Sequence, residues 1–168
     1  WGKREYFDLE LEREMAAHDF IEHMNQALPP AIRINTCLSI STATPTLMNS
    51  INCACYSFII NAPVEQLATW KNQILSRNEL IVKSRGKKKD LNKNLRSGIL
   101  KIEVNRWQDF AIIDIWGSIG EPLNVRYDEL KDMLVQTGID KEAILDVYRS
   151  GNYIHENDKY YTPLEKVK

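Results

Sequence analysis

The chain has 168 residues, 43% of them hydrophobic and 27% charged, and a formal net charge of −1. That is enough for one full domain plus part of another, and the longest apolar runs, Phe58-Ile59-Ile60 and Phe110-Ala111-Ile112-Ile113, are far too short to cross a bilayer. The near-neutral total hides a dipolar distribution: residues 76–101 carry nine Lys or Arg against two acids, a local +7, which leaves −8 on the remainder.

Residues 5–11 alternate, with Phe7, Leu9 and Leu11 on one face and Tyr6, Asp8 and Glu10 on the other, which predicts a half-buried strand. Ala17, Phe20, Ile21, Met24 and Leu28 then form a helical stripe over 16–28, closed by Pro29-Pro30. Ile32, Ile34, Leu38 and Ile40 resume period two. The expected order up to residue 45 is strand, helix, strand, ending in the linker-like Ser41-Thr42-Ala43-Thr44-Pro45.

Leu47, Met48 and Ile51 suit one or two helical turns. A strand over 54–60 and a helix over 63–75 follow, the latter with Val64, Leu67, Ala68, Lys71, Ile74 and Leu75 inward and Pro63 at its start. A short strand over 79–83 leads into Ser84-Arg85-Gly86-Lys87-Lys88-Lys89-Asp90. Strands over 99–104 and 109–116 are joined by a turn at 105–108. Asn124 or Asp128 caps a helix over 127–136 with Tyr127, Leu130, Met133 and Leu134 inward, and Gly138 closes it. A turn at 140–146 and a last strand over 147–154 precede a polar tail over 159–168. The fold class is α+β with antiparallel sheets and helices on one face, in ferredoxin-like units. One is partial, over residues 1–45, and one is complete with an added basic hairpin, over 46–158.

The lysine cluster has two readings. It is a solvated hairpin tip that blunts a sheet edge, or a phosphate-contacting finger in which Gly86 lets the loop bend and Arg85, Lys87, Lys88 and Lys89 meet a nucleic-acid backbone, with Lys93 and Arg96 beside them. Five such contacts to single-stranded RNA give a log-log salt slope of roughly −3.5 and little sequence information. The loop from Gly117 to Asn124 can hold an anion on free backbone N–H groups, but Glu121 and Asp128 put negative charge there, which favours a plain loop and cap. Arg126 and Arg149 can face one another near the end of the sheet, or pair with Asp90, Asp128 or Glu129. Trp70, Trp107, Trp116 and the tyrosines can stack bases or simply fill core and sheet edge.

No catalytic residues are assigned: there is no Ser/His/Asp order, no H-E-x-x-H and no Walker loop. His18 and His23 lie five apart, about 140° around a helix, and do not converge on one ion, so a hydrolase or nuclease built on either is the weakest alternative. His155 sits among polar residues. Cys53-Ala54-Cys55 with Cys37 lacks the paired spacing of a four-ligand zinc site, so no metal is expected; an odd number of cysteines fits a reducing, cytoplasmic compartment. No signal peptide is evident, and the chain opens on Trp1 and is read as a fragment.

Several segments in this order resemble the radical-SAM-linked bacterial domain of unknown function: Glu5-Tyr6-Phe7-Asp8-Leu9-Glu10-Leu11, Met24-Asn25-Gln26-Ala27-Leu28-Pro29, Thr46-Leu47-Met48 leading to Tyr56, and Lys88-Lys89-Asp90. They continue with Gly117-Ser118-Ile119-Gly120, Asn124-Val125-Arg126-Tyr127-Asp128-Glu129-Leu130 and Arg149-Ser150-Gly151-Asn152-Tyr153. The resemblance runs over nearly the whole chain and makes Asp90, Gly117, Ser118, Asn124, Arg126, Arg149 and Tyr153 family-motif positions. Two departures stand out: members begin with a further strand-helix unit carrying a His-Leu-Asp segment, similar to RNA-processing ferredoxin-like repeats, and Asn92 stands where the family tends to have arginine. The resemblance implies a non-catalytic recognition or docking module for a radical SAM protein, fused or separate, contacting tRNA or rRNA. A protein-protein docking domain without nucleic acid is the alternative. The iron-sulfur cluster and S-adenosylmethionine would belong to the partner, since no C-x-x-x-C-x-x-C is present here. Ser41 to Ser50 also resembles the segment before an active-site cysteine in ribonucleotide reductase large subunits, but Ile51-Asn52-Cys53-Ala54-Cys55 does not continue that pattern.

Overall fold

The computed structural model describes residues 2–86 and 91–167. Its centre is β1 (Cys53–Ile60), the middle strand of a five-stranded antiparallel sheet. After β1 come α3 (Val64–Leu75), the short strands β2 (Ile81–Lys83) and β3 (Asn92–Asn94), and the hairpin β4 (Ile99–Trp107) and β5 (Phe110–Ser118). α4 (Tyr127–Gln136), β6 (Ile144–Glu156), β7 (Lys159–Tyr161) and the one-turn α5 (Pro163–Lys166) complete the chain. Ahead of β1, among the described residues, stand only α1 (Ala17–Ala27) and the one-turn α2 (Leu47–Ser50). The sheet order is β4-β5-β1-β6-β7, and β2 and β3 form a separate two-stranded ribbon.

Register decides which residues share a face, because Cα partners across a ladder point the same way. Phe58 lies opposite Ile113 and Val147, Tyr56 opposite Ile115 and Arg149, and Ile60 opposite Ala111 and Ile144. This is the helix-covered face. Leu67, Trp70 and Ile74 of α3 and Leu130, Met133 and Leu134 of α4 close over it, with Leu80, Val82 and Leu95 from the ribbon, in one continuous buried cluster. The opposite face carries Cys53, Cys55, Ser57, Asp114 and Trp116.

The second half follows the period-two and period-3.6 patterns closely, with corrections in detail. Tyr127, expected inward, is half exposed, and Glu129 is buried in its place. Leu75 is also exposed, while Trp70 takes the inward position and donates its indole N–H to Thr137 Oγ1 at 3.0 Å. Neither Asn124 nor Asp128 caps α4: the N-cap is Arg126, whose backbone N–H is received by Glu129 Oε2 at 3.2 Å. The polar tail is not a tail, since β7 pairs with β6 and Thr162 and Glu165 close a capping box on α5.

The first half differs more. Neither 5–11 nor 32–40 forms a strand among the described residues, and Phe7, Leu9, Leu11, Ile32, Leu38 and Ile40 are 38–58% exposed. The strand-helix-strand unit expected over 1–45 is therefore present only as its helix. The physical reason is that alternation prepares a face, but a strand also requires a neighbour to satisfy its N–H and C=O groups. Asn25 substitutes locally, its side chain exchanging two hydrogen bonds with the backbone of Ile34 (3.0 and 2.8 Å).

Candidate functional site

The ribbon that carries the basic stretch is fastened to α4. Arg85 donates its backbone N–H to Glu129 Oε1 at 3.0 Å and its guanidinium to Asp132 Oδ2 at 2.7 Å. Lys93 donates to Glu129 Oε2 at 2.6 Å and also to the Asn124 carbonyl. Arg96 donates to the carbonyls of Arg77 and Leu75, tying the ribbon to the end of α3. Three of the six residues assigned to nucleic-acid contact are thus engaged in holding the ribbon in place. Lys87, Lys88, Lys89 and the motif residue Asp90 lie outside the described residues. Asn92, the departure from the family pattern, accepts from Lys83 Nζ at 2.9 Å.

Glu129 is the residue that makes this possible. It sits in the first turn of α4, where a carboxylate is favoured by the helix dipole, and is fully buried. Its two oxygens receive the Arg85 and Arg126 backbone N–H groups and the Lys93 ammonium. Its signal in the sequence was the third helical position, where acidic residues reach back to the cap.

Gly117 and Ser118 build the approach to α4 rather than an anion cradle. A Cβ on Gly117 would meet Val125 Cβ at 3.0 Å, and one on Gly98 would meet Val125 Cγ2 at 2.6 Å, so both glycines admit the Val125 side chain. Ser118 donates its hydroxyl to the Leu123 carbonyl at 2.7 Å and receives Val125 N–H on its own carbonyl at 2.8 Å. Tyr153 lies over Gly151, where a Cβ would stand 2.9 Å from its hydroxyl.

A second polar cluster lies where β6 and β1 meet the start of α4. Arg149 and Tyr56 are Cα partners across the ladder, and the Arg149 guanidinium hydrogen-bonds the Tyr56 phenol, on which the charge of Arg126 also acts. Burial pushes that phenol above its usual range, and the two arginines act in the opposite direction. Arg126 pairs with Asp128 at 3.2 Å, one of the partners the sequence offers, whereas Arg149 pairs with Glu5 at 2.8 Å, which is not among them; Asp90 lies outside the described residues. Asn152 donates to the same Glu5 carboxylate at 3.1 Å. Glu5 and Asn152 both fall in segments that carry the resemblance, but their contacts leave no sign in the sequence, because 144 residues separate Glu5 from Arg149 and 147 separate it from Asn152.

Of the aromatic residues considered for base stacking, Trp70 is core. Trp116 lies 6.0 Å from the Tyr160 ring with Lys101 Nζ above it at 4.7 Å, and Trp107 is exposed at the β4–β5 turn. His23 Nδ1 lies 2.7 Å from its own helix's Asp19 carbonyl. Among the described residues no helix is long and apolar enough to cross a membrane.

Fold and sites together define a mixed α+β domain in which a basic ribbon is fastened to α4 and residues 2–5 are held on β6. Residues 1–127 match an uncharacterized protein family conserved in bacteria (DUF2344), and the chain belongs to that family. The match ends within α4, so Arg149, Asn152 and Tyr153 lie beyond it. No curated protein and no solved structure matches the chain.

Proposed function

We propose that the chain is a non-catalytic docking and recognition module that works with a radical SAM protein, fused or separate, and that its N-terminal arm supplies the contact. One observation carries this reading: the two alternating segments, 5–11 and 32–40, present Phe7, Leu9, Leu11, Ile32, Leu38 and Ile40 to solvent without strand partners among the described residues. Exposed apolar groups in such number mark an interaction surface, and extended segments with unpaired backbone gain affinity by adding to another sheet's edge. We read the sheet as ferredoxin-like on the support of its antiparallel β4-β5-β1-β6 order, with helices following β1 and β5. The iron-sulfur cluster and S-adenosylmethionine belong to the partner in this reading, and the compartment is the cytoplasm.

RNA is the second ligand, favoured by the anchoring of Arg85 and Lys93 on either side of Lys87, Lys88 and Lys89. With three lysines left for phosphate, the log-log salt slope for tRNA or rRNA falls to about −2. The test is co-purification with the radical SAM protein at low and at roughly 1 M salt, the latter shortening the screening length to about 3 Å. Docking through the arm predicts a complex that survives high salt and is lost in Phe7→Glu/Leu9→Glu. A complex that dissolves in salt and is lost instead in Lys87→Glu/Lys88→Glu/Lys89→Glu overturns it.

A further inference from the structure

We propose that Arg149, Asn152 and Tyr56 form a binding site for a small carboxylate with a neighbouring hydroxyl or amino group, and that Glu5 fills it from within the chain. The Glu5 carboxylate is held as a bound carboxylate ligand would be. Arg149 Nε and Nη2 reach Oε1 at 3.0 and 2.8 Å, Nη2 also reaches Oε2 at 2.8 Å, and Asn152 Nδ2 donates to Oε2 at 3.1 Å. A planar guanidinium fork with a side-chain amide is a recognition geometry for carboxylates.

Three features distinguish this from an ordinary structural ion pair. Glu5 and Arg149 retain 46% and 38% side-chain exposure, so the pair can open to water and exchange. Among the described residues, the segment that delivers Glu5 joins the sheet by a parallel bridge, Gly2 to Arg149, a Lys3 N–H bond to the Arg149 carbonyl at 2.9 Å, and Lys3 Nζ over the Tyr148 ring. Farther on, Asp8 Oδ2 accepts the Leu47 N–H at 2.9 Å. Most tellingly, Asn152 is 92% buried by its 8% exposure, yet among the described residues its Oδ1 has no hydrogen-bond partner, while its other end already serves the carboxylate.

An unpartnered buried acceptor is a poor fit for Glu5, which offers no proton. A ligand carrying O–H or N–H beside its carboxylate satisfies both ends of the Asn152 amide. Tyr56, the Cα partner of Arg149, hydrogen-bonds that guanidinium, and the charge of Arg126 acts on the same phenol; Asp128, paired with Arg126, tempers it. Gly2 completes the enclosure, since a Cβ there would lie 1.8 Å from Glu5 Oε1.

The test is an NMR titration of the full chain with glycolate, acetate and inorganic phosphate, following the Asn152 side-chain amide and Arg149 Nε–H. In Glu5→Ala, glycolate is expected to give saturable shifts at these groups. Its Kd should be at least tenfold lower than in the unaltered chain, and about fivefold or more lower than that of acetate, which lacks the extra donor. Arg149→Gln should abolish binding in the Glu5→Ala background. Should that variant fail to fold, Asn152→Asp, which turns the amide into a repelling carboxylate, should do so instead. No saturable shift in Glu5→Ala, equal affinity with and without Glu5, retained binding in the folded Arg149→Gln or Asn152→Asp variant, or phosphate binding tighter than glycolate would each overturn the proposal.

Discussion

Lys93 and Glu129 form an ion pair 2.6 Å long in which the carboxylate is wholly buried and the lysine side chain is 17% exposed. Lys93, one of the candidate phosphate contacts, clasps the ribbon to the helix. Removing one member of such a pair leaves a buried charge with too few partners, so Glu129→Gln or Lys93→Met should cost about 3 kcal/mol in urea unfolding. Lys93→Met combined with Glu129→Leu should not recover that loss, because it also orphans the Arg85 and Arg126 backbone N–H groups that the carboxylate receives.

The Trp70 indole donates to Thr137 Oγ1 at 3.0 Å, and that hydroxyl passes its own proton to the Met133 carbonyl at 2.7 Å. The chain of two bonds links the buried faces of α3 and α4. Thr137→Val keeps the shape and orphans the indole N–H, so a loss of about 1–2 kcal/mol is expected, with a shift in tryptophan emission as the readout.

Cys53 and Cys55 are pushed up to about 12 by burial, so at pH 8 both remain thiols. Since the thiolate is the nucleophile, a colorimetric thiol reagent should modify Cys37, which is only partly buried, and leave the other two untouched until urea is added. The sign for stability follows from the direction of the shift: the folded state holds these protons more tightly, so stability falls as pH rises from about 9 towards 12.

Asp114 carries a raised pKa chiefly through burial, opposed by hydrogen bonds from Ser57, whose Oγ lies 2.5 Å away, and from Asn105. A raised carboxyl favours the protonated form in the folded state, so its contribution is fully present below the unfolded value near 3.8 and is lost as pH climbs through the folded value. Asp114→Asn, which keeps the acceptor for Ser57, should therefore match or exceed the unaltered chain in stability at pH 7. That advantage should shrink on acidification to pH 3, as followed by thermal melts.

The second half of the fold was legible because its signals are local and its partners are near. The Tyr127 helix has a three-turn apolar stripe ended by Gly138, which adopts φ +108 as its cap role requires. The β4–β5 hairpin closes through Gln108 at φ 54, a position the sequence did not mark with glycine. In the first half the alternation at Phe7, Leu9 and Leu11 was read correctly as a pattern and wrongly as a formed strand, because a ladder partner is a property of the whole molecule. The same limit hid the Arg149–Glu5 pair and the burial of Glu129: charge pairing across more than a hundred residues, or into a core, leaves no period behind. The bonds that Lys93 and Arg96, both nucleic-acid contact candidates, make to Glu129 and to the Arg77 and Leu75 carbonyls are hidden for the same reason.

Hydrogen exchange of the chain with and without the radical SAM protein proposed as its partner tests docking through residues 5–11 and 32–40 most directly, since amides without hydrogen-bond partners exchange unprotected. The account predicts that residues 5–11 and 32–40, unpaired as strands among the described residues, become protected in the complex while the sheet changes little. Protection confined to the ribbon around Arg85 and Lys93, or absent from both arm segments, would contradict it.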